Sequence, residues 1–129
     1  MMSQSGTGND GAGEGGDREH DLIGWSDFEK VVICAGTVTQ VEEFPQARKP
    51  AWKLWVDFGP HGLRKTSAQI RHLYSAEDLV GRQIVGVINF PPKQIGPFVS
   101  EFLLTGFPTE EGVVITTIER PVPNGTRLA

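Results

Sequence analysis

The sequence predicts an all-β domain with one short helix, arranged as a small barrel of about five strands. Three observations carry that prediction. Short β-branched runs are punctuated by Gly and Pro, one run alternates strictly with a period of two, and a single helix-start signal falls between the third and fourth runs.

Val31 to Val41 is the first run, with Gly36 at mid-run where a strand can bend or bulge. Phe44-Pro45 ends it. Ala51 to Gly59 alternates most clearly: Trp52, Leu54, Val56 and Phe58 point one way, and Ala51, Lys53, Trp55 and Asp57 the other. Gly59-Pro60-His61-Gly62 is a turn, and Leu63 to Ile70 returns as the second arm of a hairpin. Ser75-Ala76-Glu77-Asp78 has the spacing of a capping box, with Asp in the place of the usual Glu or Gln, and starts a short helix that Gly81 stops. Ile84 to Phe90 is a further strand, ended by Pro91-Pro92 because neither residue can donate to a ladder. Phe98 to Gly106 is a short strand, and Val113 to Ile118 alternates as the last. This is the element order of an OB-fold five-stranded barrel; pattern alone leaves an SH3-like barrel or a small sandwich open.

At 129 residues the chain has room for one domain, placed at residues 21–129. Residues 1–20 are rich in Gly, Ser, Asn and Thr, hold Asp10, Glu14, Asp17 and Glu19 against Arg18, and read as a disordered acidic tail of net charge −3. No apolar run reaches the roughly 20 residues that cross a bilayer, and the N-terminus lacks the order of a secretory signal. A single cysteine, Cys34, excludes a disulfide within the chain. A cytoplasmic location without membrane insertion is expected.

Catalysis finds no support in these residues. His20, His61 and His72 are scattered, Cys34 sits in an apolar strand, and Gly11 to Gly16 neither follows a strand nor ends in Lys-Ser or Lys-Thr. No enzyme activity, cofactor or metal is expected. Binding chemistry is better represented. Between Arg48 and Lys93, eight cations face only Asp57, Glu77 and Asp78, a local charge of +5 inside a chain of net charge −4. Such a stretch serves as a footprint for phosphate, or is an ordinary mixed surface.

Three places within or beside it are candidate contacts. Lys53 and Trp55 share the face opposite the apolar stripe, a cation beside an aromatic that can grip a phosphate and stack a base; alternatively, Trp55 covers a sheet edge or a dimer contact. Arg64, Lys65, Ser67, Ala68, Gln69 and Arg71 combine small residues that permit close backbone approach with an amide and flanking cations, although Ser67 and Ala68 also suit a barrel wall. Asn89, Lys93, Ser100 and Glu101 flank the rigid prolines and can shape a pocket or a chain reversal.

The motifs Lys53-Leu54-Trp55-Val56-Asp57-Phe58-Gly59, Thr66-Ser67-Ala68-Gln69-Ile70, Val87-Ile88-Asn89-Phe90-Pro91-Pro92-Lys93 and Phe98-Val99-Ser100-Glu101-Phe102-Leu103, with the closing Pro121-Val122-Pro123-Asn124-Gly125-Thr126, resemble the CsaA family of secretion-chaperone-like, tRNA-binding-domain proteins. The likeness runs from about Asp27 to Leu128. It implies an OB-fold, a homodimer, tRNA as partner, and an export-related chaperone activity toward unfolded precursor polypeptides. Relatives commonly open the first strand with Asp-Ile-Arg, where this chain has Val32-Ile33-Cys34, and often carry two basic residues after the double proline, where it has Lys93-Gln94. If polypeptide is the ligand, Trp52, Trp55, Phe98 and Phe107 are expected to line an exposed groove. The Pro121–Leu128 run, too proline-rich for a central strand, is expected to lie across a partner subunit in a two-fold dimer.

Overall fold

The computed structural model describes residues 20–129, which divide at Val31/Val32 into two units. The tail expected over residues 1–20 lies outside the described residues except for His20. In the first unit Trp25–Glu29 forms a single helical turn, α1, entered through Gly24, whose N–H donates to Asp27 Oδ2 at 2.9 Å. The sequence reading did not include this turn; its signal is the Asp three residues after the N-cap.

The second unit is the barrel. Its strands are β1 (Ile33–Glu43), β2 (Trp52–Asp57), β3 (Leu63–Ala68), β4 (Gln83–Val87) and β7 (Leu103–Leu104), hydrogen-bonded in the order β3-β2-β1-β4-β7 and antiparallel throughout. The OB-fold expectation holds. A 3-10 turn at Gly59–His61 joins β2 to β3, and α2 (Ala76–Leu79) follows β3. The capping box is present: the Ser75 N–H donates to Asp78 Oδ2 at 2.9 Å and the Asp78 N–H to Ser75 Oγ at 3.2 Å. Hydrogen bonding of its carboxylate by the Ser75 backbone N–H, and by the Ser75 side chain, holds the Asp78 carboxyl below the ordinary carboxylate range. Gly81, at φ +88°, ends the turn where a side chain would be strained.

The alternation along β2 sorts the chain as expected. Trp52, Leu54, Val56 and Phe58 are buried inside with Val38, Leu79 and Ile84, while Lys53, Trp55 and Asp57 lie half-buried on the outer face. Each fully buried large side chain contributes roughly 1.5–3 kcal/mol. Gly36 has a different role from the bulge expected there. The register shift of β1 falls between Val38 and Gln40, and a Cβ on Gly36 would meet Val56 Cγ1 at 2.6 Å and the Phe58 ring at 2.8 Å. Gly36 makes room for the core; the bulge lies beyond it.

Two elements depart from the expected map. The run Phe98 to Gly106 is not one strand but β6 (Phe98–Ser100) and β7, interrupted at Glu101-Phe102. The interruption closes the barrel: the Glu101 N–H donates to the Lys65 carbonyl at 2.7 Å, and the Lys65 N–H to Glu101 Oε1 at 3.1 Å. β6 pairs instead with β5 (Lys93–Ile95) in a hairpin, and β8 (Gly106–Thr109) pairs with β9 (Gly112–Ile115) in another.

The C-terminal run is bonded to its own barrel: the Gly125 N–H donates to the Ala35 carbonyl at 2.8 Å, the Ala35 N–H to the Thr126 carbonyl at 2.9 Å, and the Leu128 N–H to the Ile33 carbonyl at 2.8 Å. Gln83 grips the same run through the Val122 backbone, accepting from its N–H at 3.0 Å and donating to its carbonyl at 2.7 Å. Proline is tolerated because the prolines fall between these bonded residues. Among the described residues no helix is long and apolar enough to cross a membrane.

Candidate nucleic-acid interface

The sequence places Phe44 at the end of β1, Ala51 at the entry to β2 and Phe98 on β6. These three residues form a small buried cluster outside the main core, with Ala47, Trp55 and Ile95 packed around it. The cluster ties the β5–β6 hairpin to the β1–β2 loop across the outer face of β2. Rings of Phe44 and Phe98 are 5.5 Å apart, and Trp55 meets Phe98 edge-on at 6.1 Å.

Cations gather on this cluster. Trp55 lies opposite Lys65 and Lys53 opposite Ser67 in the β2–β3 register. The Lys53 ammonium stands 5.7 Å and the Lys65 ammonium 5.2 Å from the Phe98 ring centre. Lys53 also pairs with Glu42 at 3.7 Å, a half-exposed contact worth at most about 1 kcal/mol. Trp55 therefore packs against Phe98 and presents less of its ring than a free stacking platform would; of the two readings of Trp55, the packing one describes its contacts.

Beside the cluster opens a cleft of about 1210 Å³. Ser67, Ala68, Gln69, Lys93 and Ser100 line it, so five of the twelve candidate residues converge there. Gln46, Arg48 and Lys49 of the β1–β2 loop and Phe90 and Pro91 after β4 line it as well. The floor is apolar, with Ile70, Phe102 and Ile115 buried beneath it. Thr66, also at the floor, is buried, and its hydroxyl donates to the Phe102 carbonyl at 2.8 Å and lies 2.7 Å from Ser100 Oγ.

The other candidates are committed to the fold. Arg64 donates to the Ile88 carbonyl at 2.6 Å and to that of His61 at 3.2 Å, joining β3 to the end of β4. Asn89 Oδ1 accepts from the Val32 N–H at 3.0 Å, and Glu101 closes the barrel as described. Arg71 is exposed, with its guanidinium stacked 4.1 Å above the Trp52 ring. By contrast, the side chains of Arg48, Lys49 and Lys93 are exposed and make no ion pair or hydrogen bond among the described residues. Arg48 and Lys49 belong to the basic stretch read from sequence, but nothing in one dimension brings them to the same cleft as Lys93; the fold does.

The exposed aromatic groove expected for polypeptide is not formed by the four rings named for it. Trp52 and Phe98 are buried, Trp55 is half-buried, and only Phe107 is well exposed. Trp52 is held inward by its indole N–H, which donates to the Tyr74 carbonyl at 2.9 Å. Cys34 is buried, and burial raises its thiol pKa despite the nearby guanidinium groups of Arg127 and Arg64. Among the described residues no group of three or more His, Cys, Asp or Glu side chains is placed to hold a metal ion.

A nearly closed OB barrel whose β2–β3 face is bounded by the β1–β2 loop and the segment after β4 has the surface on which this fold takes oligonucleotides. The architecture and the cationic rim define a barrel of the nucleic-acid-binding class. The chain belongs to the putative tRNA binding domain family, whose family model matches residues 33–127. Among solved structures it is similar to the chaperone CsaA of Bacillus anthracis, with 44% identity, a TM-score of 0.79, and coverage of 84% of this chain and 100% of that one. The CsaA chaperone protein of Picrophilus torridus is similar at 39% identity and the same TM-score, again over 84% of this chain and 100% of the other. The methionine–tRNA ligase of Methanocaldococcus jannaschii is 28% identical over 114 residues, which is 88% of this chain but 17% of that enzyme. The chain thus spans about a sixth of the length of the curated relatives it matches.

Proposed function

We propose that this protein is a binding domain and not a catalyst, that its ligand is tRNA in the cytoplasm, and that it holds the RNA in the cleft between the β1–β2 loop and the β5–β6 hairpin. The observation that carries this reading is the convergence of Arg48, Lys49 and Lys93, with no partners for their side chains among the described residues, on the face that OB barrels use for oligonucleotides. Charged heads that make no internal pair are available to displace counterions from phosphate, which is the main source of affinity for nucleic acid. Lys53 and Lys65 add charge on the adjoining face, and Ser67, Gln69 and Ser100 supply polar groups inside. The family match supports tRNA as the RNA.

Filter binding of total tRNA at several salt concentrations tests this reading. Affinity falls steeply with salt, and each of Arg48→Ala, Lys49→Ala and Lys93→Ala weakens binding and reduces the salt slope by roughly 0.7 to 0.9. Unchanged binding in all three variants would remove the cleft from the argument. A second reading, capture of unfolded polypeptide, is favoured by the apolar cleft floor and by the chaperone names of the two similar structures. Binding of that kind is nearly insensitive to salt. A two-fold dimer is also proposed, supported by the exposed cross-strand pair Phe107 and Val114 on the β8–β9 hairpin. Sedimentation equilibrium at micromolar concentration checks it, and a monomer there excludes it.

A further inference from the structure

Phe90 is an aromatic residue that the function so far does not use. It is 55% exposed, lines the cleft, and makes no ring contact among the described residues, whereas Trp55 is edge-on to Phe98. Pro91 and Pro92 follow it directly. Proline restricts the preceding residue to extended conformations, so Phe90 is displayed on a stiff segment and loses little freedom when a ligand arrives. Gln46 and Gln69 line the same cleft and are exposed, and a side-chain amide both donates and accepts, as the edge of a base requires. The floor beneath is carbon from Ile70, Phe102 and Ile115.

We infer that the cleft receives an unpaired stretch of RNA, with a base stacked on Phe90, its edge met by Gln46 and Gln69, and its flanking phosphates held by Arg48, Lys49 and Lys93. The inference rests on the RNA-binding reading above and narrows it to single-stranded nucleotides. A paired helix offers only phosphates, sugars and groove edges to a protein surface, and its stacked bases cannot enter a concave apolar site. Cations alone would suffice for a duplex. Among forms of RNA, the apolar floor and the open ring suit bases that leave the stack. A polypeptide would use the floor and the ring, but it leaves the three converging cations without a role.

The full-length protein is titrated into a single-stranded RNA of about 12 nucleotides and into the blunt duplex formed with its complement, with fluorescence anisotropy as the readout. The parent binds the single strand more tightly than the duplex. Phe90→Ala weakens single-strand binding by roughly 5- to 150-fold with an unchanged salt slope, and leaves duplex binding as it was. Phe90→Tyr restores the parent's affinity, which a general loss of fold would not allow. Equal loss for both RNAs, or none for either, overturns the inference. If Arg48→Ala and Lys93→Ala still weaken tRNA binding in that event, the RNA reading of the cleft survives without its base platform. If no variant weakens any RNA, both fall. A loss on Phe90→Ala confined to an unfolded, reduced polypeptide overturns the inference in favour of peptide capture.

Discussion

At the Thr66 hydroxyl, a buried polar group joins two parts of the chain that lie far apart in sequence. Thr66 is 2% exposed and donates to the Phe102 carbonyl, which leaves its oxygen to accept from Ser100. Those bonds fasten β3 to the segment between β6 and β7, where the barrel closes. Thr66→Val keeps the shape but leaves the Ser100 hydroxyl and the Phe102 carbonyl only their own long bond of 3.4 Å, and is expected to cost about 1–3 kcal/mol in urea denaturation. An unchanged midpoint would show that the closure depends on the backbone bonds alone. Sequence inspection read Thr66 only as part of a motif, because burial of a hydroxyl depends on what packs over it. Cys34 makes a different prediction. Its thiol is held neutral by burial, so its folded pKa lies above that of the unfolded chain. The associated stability is complete below the ordinary thiol range and is lost as pH rises through it toward the raised value. Between about pH 8 and pH 10 the parent should therefore lose more thermal stability than Cys34→Ala. Equal losses would show that other groups account for the alkaline change.

At the level of elements, the C-terminal run illustrates how composition misleads. Two prolines and turn residues argue against a strand, and the run is not a regular one; it meets β1 through spaced backbone bonds at Ile33 and Ala35. Asn124 Oδ1 adds a bond from Thr37 Oγ1 at 2.7 Å and another from Gln83 Nε2 at 3.1 Å. Deleting residues 121–129 removes all of these and uncovers the first strand of the barrel. At about 1 kcal/mol for each bond, the melting temperature should fall by at least about 8 °C, measured by circular dichroism. A deletion variant as stable as the parent would show that these bonds contribute little to the fold. The β5–β6 hairpin is the element least visible beforehand. Lys93-Gln94-Ile95 is short and follows two prolines, and its partner β6 was read as continuous with β7. A three-residue strand carries too little periodicity to be seen alone. Phe98 anchors it, by reaching Phe44 and Trp55 on other elements.

For the whole molecule, charge is the property that acts at a distance. Residues 1–20 carry a net −3, while the segment from Arg48 to Lys93 carries +5. Removing the first 20 residues should strengthen tRNA binding slightly at low salt and leave the melting temperature nearly unchanged, because the attraction of phosphate is reduced by nearby acid and screened by added salt. A large fall in melting temperature would mean that these residues pack on the rest of the chain. The alternation of Trp52 to Phe58, the capping box at Ser75 and the stop at Pro91-Pro92 were enough by themselves to determine a small β domain with one helix, because periodicity and turn chemistry act over a few neighbouring residues, while the OB class and the family rested on the resemblance of the ordered motifs. They also determined that the middle of the chain is basic. Only the tertiary structure decided which cations are available: Arg64 is tied to two carbonyls and Lys53 to Glu42, while Arg48, Lys49 and Lys93 meet at one cleft. It likewise decided that Trp55 packs and Phe90 stands open. Whether a side chain is spent on the fold or left for a ligand depends on partners brought close by strand pairing and loop closure, and those distances are not written in the order of residues.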